Sequence, residues 1–341
     1  MPQANPHQLL NTSWTLRRLS PLHHGKESQS LLDNPTALKT YSTRLRDQLT
    51  GDALGRLQAG IGAAGSGGGD DDDGDPLSKT GTLKTCTWET ISASEENAQS
   101  SRGILVVLEY ENITYKAALL AGLDNTPEQK GSTMLPLLLT RLPTGLQQTF
   151  ISFLSTNFDT YCSLLRLPSN FMCTGLDIYV DSFLSSDATA ILQDVIKDMQ
   201  LTLSFSPSVA PALRSLNITI PRASFGEFLG NSPSSTNDPS PFLSNLSAYL
   251  DKHLAMELDL GTSPSNQSLA KQHVRLCKVA CGGFVLGSEG RMKLVAGSGR
   301  TGTGNDGAAG NDEKARLELR ASEALLAAVV RRAVAGEGQT K

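Results

Sequence analysis

Aromatic residues are few in this sequence and long apolar stretches are missing, and these two shortages exclude several classes of protein. Phe, Trp and Tyr make up 5% of the chain, and they do not interleave with the basic residues as base-stacking platforms would. No window approaches eighteen uninterrupted apolar residues, so a membrane span is not expected. The first ten residues lack the basic start and apolar run of a signal peptide. We therefore expect an intracellular chain that does not enter a membrane.

Cysteine is also scarce, and its pattern indicates neither disulfides nor a metal. The five cysteines are an odd number in a long chain, which favours buried thiols over a disulfide framework. His273, Cys277 and Cys281 are spaced by four, but on a strand the two cysteines would lie roughly 13 Å apart. A helix would bring them together, although the Gly282-Gly283 pair disfavours one, and three ligands are too few for a closed zinc site. We expect no metal.

Two glycine motifs fail the tests for a nucleotide site. Such a site needs a strand before the glycines and a helix that begins within them. The G-x-G-x-x-G match that begins at Gly60 runs into the acidic stretch 70–75, and the match that begins at Gly297 runs into more glycine. Flexible linkers explain both better. No Ser or Cys lies in a recognisable nucleophile elbow, so the sequence predicts no cofactor, no catalytic residue and no enzyme.

Apolar periodicity predicts an α+β fold, a curved and mostly antiparallel sheet with a helical layer. With 39% hydrophobic and 19% charged residues, the 341-residue chain can build a substantial core. Alternating and β-branched runs predict strands at 14–19, 83–91, 103–110, 113–120, 134–140, 201–205 and 216–220, and two more within 272–295. Helical spacing predicts a first helix that begins at Asn34-Pro35 and ends at Gly51, and a second that begins with a capping box of Thr144 and Gln147. A third helix contains 172–183 and a fourth begins at Asp187. The last two span 242–254 and 312–335.

Composition predicts the division of the chain into domains. We expect an N-terminal α/β domain over 1–231 that carries a disordered Gly/Asp insertion at 59–79. A Ser/Pro-rich linker at 232–241 then leads to a C-terminal β-rich domain over 242–296. A flexible glycine tract at 297–311 precedes the terminal helix at 312–335.

The most informative stretch is 272–295, which predicts two strands joined by a tight turn. Between Lys271 and Arg300 there are six Lys or Arg and one Glu, whereas 124–270 has thirteen Asp or Glu and seven Lys or Arg. The net charge of −4 therefore combines a basic region, 271–300, with an acidic one, 124–270, and the electrostatic potentials of the two regions have opposite sign. Such an asymmetry favours recognition over chemistry, and we expect the ribbon to extend the sheet as a free edge for a partner.

The basic residues of this region could also touch phosphates, with solvated strand faces as the plain alternative. No sequence-specific DNA or RNA motif is present. The candidates for nucleic-acid contact are Arg17, Arg18, Arg275, Lys278, Arg291 and Lys293.

Three stretches together resemble a known family. They are LLNTSWTLRRLSPLHHG with YSTRLRDQLTGDAL, the run from MLPLLLTRLP to LNITIP, and VRLCKVACGGFVLGSEGRMKL. In this order they are similar to fungal members of the CENP-L family of inner-kinetochore proteins. The similarity covers about two thirds of the chain. It rests on strands and apolar positions rather than on an invariant chemical signature.

The resemblance implies a non-enzymatic structural subunit in the nucleus, located at the centromere and kinetochore. It implies that C-terminal strands, here Val274 to Leu294, pair the chain with a CENP-N-like protein alongside other inner-kinetochore subunits. Centromeric nucleosomes or DNA would be touched indirectly or weakly, and the chain alone could form a homodimer. A stand-alone DNA-binding saddle is the alternative. The apolar residues predicted at the partner interface are Val274, Leu276, Phe284, Leu286, Met292 and Leu294.

Overall fold

The structure is a computed structural model, and it describes residues 3–4, 6–25, 30–32, 34–63, 80–91, 102–122, 130–186, 188–196, 198–208, 210–230, 241–254, 273–297 and 308–335. The fold is mixed α+β, with a helical layer and mostly antiparallel strands, as the sequence predicts. Two compact units divide the chain. Unit 1 comprises Met1–Gln8, Thr15–Ser163 and Val330–Lys341, and unit 2 comprises Leu9–Trp14 and Leu164–Val329.

Unit 1 contains the long N-terminal helix and the first strands of the chain. Its strands are β1 (Gln3–Ala4), β2 (Ser13–Leu19, which begins in unit 2), β3 (Leu22–His23), β4 (Leu83–Ile91), β5 (Gly103–Tyr110), β6 (Thr114–Leu120), β7 (Ser132–Thr133), β8 (Leu137–Arg141) and β9 (Cys162–Leu164, which ends in unit 2). Its helices are α1 (Pro35–Ala63) and α2 (Thr144–Phe158). The strand order is β1-β4-β5-β6-β8-β2, with β9 beside β2 and with β3 and β7 in a separate pair.

The core of unit 1 forms where α1 and α2 cover its sheet. Leu38, Leu45 and Leu49 of α1 are buried on one face, as their spacing predicts. They belong to one cluster with Trp88 of β4 and the phenylalanines of α2. The side chain of Asn34 caps α1, because its Oδ1 accepts a hydrogen bond from the Ala37 N–H at 3.0 Å.

Three local predictions in unit 1 need correction. Helix α1 does not end at Gly51 but continues to Ala63, because glycine lowers helix propensity by only about 1 kcal/mol. The predicted insertion therefore starts inside a helix, and its remainder, 64–79, lies outside the described residues. The predicted capping box does not form either. Thr144 is the first residue of α2, and Gln147 donates instead to the Thr140 hydroxyl at 2.6 Å.

Unit 2 contains the remaining elements. Its strands are β10 (Met199–Phe205), β11 (Ser215–Ile220), β12 (Val274–Ala280), β13 (Phe284–Gly287) and β14 (Arg291–Leu294). Its helices are α3 (Ser169–Leu184), α4 (Thr189–Val195), α5 (Phe225–Gly230), α6 (Pro241–Leu254) and the larger part of α7 (Ala308–Ala335). The strand order is β14-β13-β12-β10-β11, all antiparallel.

The division into units differs from the predicted domains. Strands β10 and β11 and helices α3 and α4 belong with the C-terminal strands, because β10 pairs with β12 across the sequence. Most of the predicted linker, 232–240, lies outside the described residues, and Pro241 already begins α6. Similarly, α7 begins at Ala308 rather than at 312, and 298–307 of the predicted glycine tract lie outside the described residues. The predicted domains and the observed units differ in which distant segments pair with one another. Composition carries no information about such pairing.

One face of the unit 2 sheet is covered by helices. Helix α3 places buried Met172, Leu176, Tyr179 and Phe183 inward. A Cβ atom added to Gly175 would lie 3.2 Å from Leu286 Cδ1 and 3.1 Å from Leu325 Cδ1 of α7. The glycine on α3 therefore allows both the sheet and α7 to pack closely against this helix.

Polar contacts fix α7 within unit 2. The Glu318 carboxylate, on a side chain that is 7% exposed, accepts a hydrogen bond from the Gly297 N–H at 2.6 Å. The Asp194 carboxylate of α4 forms an ion pair with Lys314 of α7 and lies 3.6 Å from a guanidinium nitrogen of Arg222. The terminal helix is thus an integral part of the unit.

Candidate interaction surface

The ribbon, predicted as two strands joined by a tight turn, is instead a three-stranded meander of β12, β13 and β14 within the unit 2 sheet. Val285 of β13 lies opposite Ala280 of β12 and opposite Lys293 of β14. The turn after β13 contains Gly290, whose φ is 68°, a left-handed conformation that favours glycine. Two observations decide what this ribbon can offer to a partner: the exposure of its apolar side chains and the occupancy of its edges.

The side chains predicted at the partner interface lie mainly in the core. Phe284 and Leu286 are 0% exposed, and the ring of Phe284 packs against that of Tyr179 of α3 in a tilted arrangement, with ring centroids 4.8 Å apart. The other buried members are Leu276 at 5%, Met292 at 2% and Leu294 at 1%, whereas Val274 is half-buried. The five buried side chains belong to the hydrophobic core between the sheet and helix α3, which covers their face. That they contact a partner directly stays a prediction.

Neither edge of the ribbon is free, which corrects the expectation of an open rim there. On one side β12 pairs with β10 along its length. On the other side, the Asn11 N–H donates to the Leu294 carbonyl at 2.7 Å, and the Asn11 side-chain amide donates to the Ala296 carbonyl at 3.1 Å. The N-terminal segment of unit 2 therefore follows β14. Sequence patterns identify these strands but not their order in the sheet.

The edge of unit 2 is instead β11. Among the described residues, β10 is the only strand beside it. The Phe205 N–H donates to the Arg214 carbonyl at 3.1 Å, and in an antiparallel pair the bonded and non-bonded residues alternate. Phe205 and Arg214 are therefore a hydrogen-bonded pair, and from the register of β10 and β11 the bonded residues of β11 can be counted along the strand. The N–H and C=O groups of the residues between them point away from β10. The residues with outward backbone groups are Ser215, Asn217 and Thr219.

The edge strand lacks the usual protection against pairing. Natural edge strands commonly carry lysine, proline or a bulge that blocks further pairing. The sequence of β11, SLNITI, has no charge and no proline, and its register with β10 is regular. Leu213, two residues before the strand, is 46% exposed. The combination favours backbone pairing with another strand, with an apolar contact at one end.

The second surface of unit 2 is the face of the sheet opposite α3. We call it the open face and define it by the outward residues of the five strands. Its polar members are Gln200, Thr202, Ser204, Ser215, Asn217 and Thr219, and its cations are Arg275, Lys278, Arg291 and Lys293. Lys278 of β12 and Arg291 of β14 both pair with Gly287 of the strand between them, β13. Two strand spacings, about 10 Å, therefore separate their backbones.

The open face is basic because its strands contain no acidic residue. Strands β10 to β14 hold no Asp or Glu, so no carboxylate in the strands neutralises the four cations. Arg275 pairs across the ladder with Ser204, and Lys278 with Thr202. The neighbours of both cations are thus neutral hydroxyl side chains. The structure brings four of the six predicted nucleic-acid residues onto one surface.

The other two predicted residues, Arg17 and Arg18, belong to β2 in unit 1. They are adjacent on one strand, pair with Leu138 and Leu137 of β8, and are both half-buried. A guanidinium nitrogen of Arg17 lies 3.4 Å from the Gln147 side-chain oxygen. Burial raises the pKa of the nearby Cys162 thiol, and the charge of Arg17 partly offsets this rise. Arg17 therefore has packing partners within unit 1.

The thiols and histidines do not assemble into a reactive or metal-binding site in the described part of the chain, where no group of three or more His, Cys, Asp or Glu side chains could hold a metal. All five cysteines are free thiols. Burial raises the pKa of Cys281 to about 11 and that of Cys86 to about 12, so both stay protonated and weakly nucleophilic at neutral pH. No helix in the described ranges has the length and apolar character needed to span a membrane.

A comparison with protein-family models identifies the family of the chain. The model of centromere protein L, CENP-L, matches residues 8–334, nearly the whole chain. The chain belongs to the CENP-L family. A comparison with curated proteins gave no significant match.

Membership of the CENP-L family sets the biological context of both surfaces. The family is one of structural kinetochore proteins rather than enzymes, and its members belong to the inner-kinetochore complex. This chain is accordingly a kinetochore subunit that acts at the centromere, in the nucleus, in chromosome segregation. A structural subunit works through its surfaces, and the two surfaces described above for unit 2 are the β11 edge and the open face.

Proposed function

We propose that this CENP-L family chain is a structural adaptor that pairs with a CENP-N-like protein through the β11 edge of unit 2. The observation that carries the proposal is an uncharged edge strand with outward backbone groups at Ser215, Asn217 and Thr219. A partner strand would add to the sheet by main-chain hydrogen bonds, and neighbouring side chains would select it.

The ribbon contributes to this pairing indirectly. Its buried residues hold β12 in place, and β12 holds β10, against which β11 lies. The half-buried Leu216 and Ile218 face the helical side of the sheet, and Ile220 beside them is buried. A partner strand would extend this apolar layer beyond β11. In the absence of a partner, the same edge of a second copy would complete the sheet and give a homodimer.

The test removes one outward backbone N–H and leaves the fold intact. Asn217→Pro deletes the central outward donor, and proline is tolerated where an edge N–H faces solvent. The matched control Asn217→Thr keeps the N–H. Both variants disturb the bond that Asn217 Oδ1 accepts from the Thr202 hydroxyl at 2.8 Å, so their difference isolates the backbone group.

We expect the proline variant to bind the CENP-N-like partner at least about tenfold more weakly than the threonine variant, because it loses a hydrogen bond and introduces a ring into the interface. Isothermal titration and gel filtration at micromolar concentration measure this. Two separate peaks for the wild-type chain and its partner would refute pairing itself. Equal affinity of the two variants would refute the assignment to β11.

A second function is supported by the open face, namely contact with the DNA backbone without sequence preference. Four cations on strands that contain no carboxylate suit phosphate contacts, and hydroxyl and amide side chains beside them can donate to phosphate oxygens. The aromatic side chains of strands β10 to β14, Phe205 and Phe284, lie on the helical side of the sheet, so the proposed contact does not involve stacking with bases. If all four cations engage phosphates, log K should fall with log salt with a slope of about −3.6.

A charge-matched comparison tests the DNA contact. The double variant Lys278→Ala with Arg291→Ala should reduce the salt slope by about 2. The control Lys39→Ala with Arg44→Ala removes the same charge from exposed positions on α1 and should leave the slope nearly unchanged. Fluorescence anisotropy with a labelled duplex provides both slopes. Equal losses in the two variants would assign the binding to net charge rather than to the open face.

A further inference from the structure

The loop that joins β10 to β11 begins with a serine followed by proline, at the border of the open face. The backbone N–H of Ser206 donates to the His273 carbonyl at 2.8 Å. Its hydroxyl lies 2.8 Å from that of Ser208, in an exposed pair. Pro207, Ser208 and residues 211–214 are exposed. The Ser206 hydroxyl thus lies at the surface, and its recorded hydrogen-bond partner is another exposed hydroxyl.

Ser206 differs from the serine and threonine residues of the other Ser-Pro and Thr-Pro dipeptides in the exposure of its hydroxyl. The sequence has six Ser-Pro or Thr-Pro dipeptides, at Ser20, Thr126, Ser206, Ser232, Ser240 and Ser263. Ser20 is engaged in packing: its hydroxyl oxygen accepts from the Tyr161 N–H at 2.8 Å and lies 3.1 Å from the Thr160 hydroxyl. The other four acceptor residues lie outside the described residues. Within the described chain, Ser206 alone combines the dipeptide with an exposed hydroxyl.

The surroundings of Ser206 are suited to a phosphate. Side chains alternate along β10, so Ser206 shares the open face with Ser204, which lies opposite Arg275. Diagonal neighbours on a sheet face are about 7 Å apart, within reach of an arginine side chain. The stretches 199–220 and 273–280 contain no Asp or Glu, so neither of these two segments brings a carboxylate near the anion.

We propose that Ser206 is a phosphorylation site for a proline-directed serine/threonine kinase, and that its phosphate weakens the contact of the open face with nucleic acid. The regulatory effect rests on the second proposed function. In the transfer, the Ser206 hydroxyl oxygen attacks the γ-phosphorus of ATP. A new O–P bond forms as the bond to ADP breaks, and the hydroxyl proton passes to the kinase base. The product carries nearly two negative charges at neutral pH.

The effect follows from the position of the new charge. A phosphate paired with Arg275 removes that arginine from DNA binding and repels the DNA phosphates near it. Loss of one cation contact corresponds to a decrease of about 1 in the salt slope, and we expect an affinity loss of roughly tenfold at low salt.

The experiment treats the full-length chain and its Ser206→Ala variant with a purified proline-directed kinase and ATP. The alanine variant keeps every other Ser-Pro and Thr-Pro dipeptide, so it corrects for phosphates elsewhere. Peptide mass spectrometry locates the phosphate, and anisotropy with a labelled duplex compares treated with untreated protein. We expect phosphate on Ser206, and a roughly tenfold loss of affinity in the wild-type chain that exceeds the loss in the variant.

Each failure has a separate signature. Absence of phosphate on Ser206 while other dipeptides are modified would overturn the modification site. Phosphate on Ser206 with equal affinity losses in wild type and variant would overturn its regulatory effect. Untreated protein that does not bind duplex would overturn the second proposed function and the regulation together, whereas the mass spectrum would still decide the site.

Discussion

Substitution of Phe284 decides whether the C-terminal ribbon is core or contact surface. Its side chain is 0% exposed and packs against the tilted ring of Tyr179 at 4.8 Å between ring centroids. Phe→Ala changes in protein cores cost about 3–5 kcal/mol, and an aromatic pair accounts for about 0.5–1.5 kcal/mol of such effects. Since this ring is fully buried and has an aromatic partner, we expect Phe284→Ala to lower the free energy of unfolding of unit 2 by about 4 kcal/mol.

The two tryptophans of the chain allow unit 2 to be observed by itself. Trp14 belongs to unit 2, is 1% exposed, and donates from its indole nitrogen to the Leu9 carbonyl at 2.8 Å. Trp88 belongs to unit 1. In a Trp88→Phe background, tryptophan fluorescence during urea unfolding therefore reports on Trp14. With a slope of about 2 kcal/mol per molar urea, the expected loss moves the midpoint down by about 2 M.

The neighbouring residue provides the matched control. Val285 follows Phe284 on β13, and its half-buried side chain lies on the opposite face of the sheet. Val285→Ala should therefore lower the midpoint by less than about 0.5 M. If Phe284→Ala leaves the midpoint of the isolated chain unchanged and abolishes binding of a CENP-N-like partner, Phe284 is a contact residue and the assignment to the core is wrong.

Further substitutions test individual contacts. Gly283→Ala should destabilise unit 2 by about 1–3 kcal/mol in the same urea assay, because an added Cβ would overlap the Tyr179 hydroxyl oxygen; an unchanged midpoint would contradict the close approach. The pKa of His24 is lowered by burial, and His24 bonds to the Thr133 hydroxyl at 2.9 Å. The unfolded chain therefore binds the extra proton more readily, and stability should fall as pH drops below about 6.5. His24→Gln should show a shallower loss of melting temperature between pH 7 and pH 5, and identical pH profiles would refute this. Asp194→Asn removes the charge shared by two cations and should increase amide hydrogen exchange at the N-terminal end of α7 relative to wild type; unchanged exchange would show that apolar packing alone holds the helix.

Local sequence patterns were sufficient to identify most of the secondary structure. The apolar spacing in α1, α2 and α3 places most of the predicted residues in the core, since a helical period fixes which side chains share a face. An exception is Tyr161, which the same spacing assigns to the face of α2: the helix ends at Phe158, and Tyr161 is 74% exposed. Apolar alternation breaks between Cys277 and Cys281, and a bulge near Gly282-Gly283 would explain the break. The structure places the bulge earlier, because Leu203 pairs with Leu276 and Thr202 with Lys278, so Cys277 is the extra residue.

The order of strands could not be obtained in the same way. Alternation shows that β11 and β12 are strands, but it does not show which of them lies at the edge. That depends on the pairing of β10 with β12 and on the segment around Asn11 that follows β14. These contacts join residues distant in sequence, which a local pattern does not record. The structure places Arg275, Lys278 and Arg291 with Lys293 on one face, a grouping that depends on register and not on local sequence. Their contact with nucleic acid stays a prediction.

The hydrogen bond between Asn11 and Ala296 spans 285 residues, and this has a consequence for biosynthesis. At translation rates of about 5–20 residues per second, roughly 15–60 s separate the emergence of the two residues from the ribosome. During that interval the nascent amino-terminal segment has no β14 to pair with. We expect protection by chaperones, or simultaneous production of a binding partner, to improve the yield of folded protein more than slower elongation would.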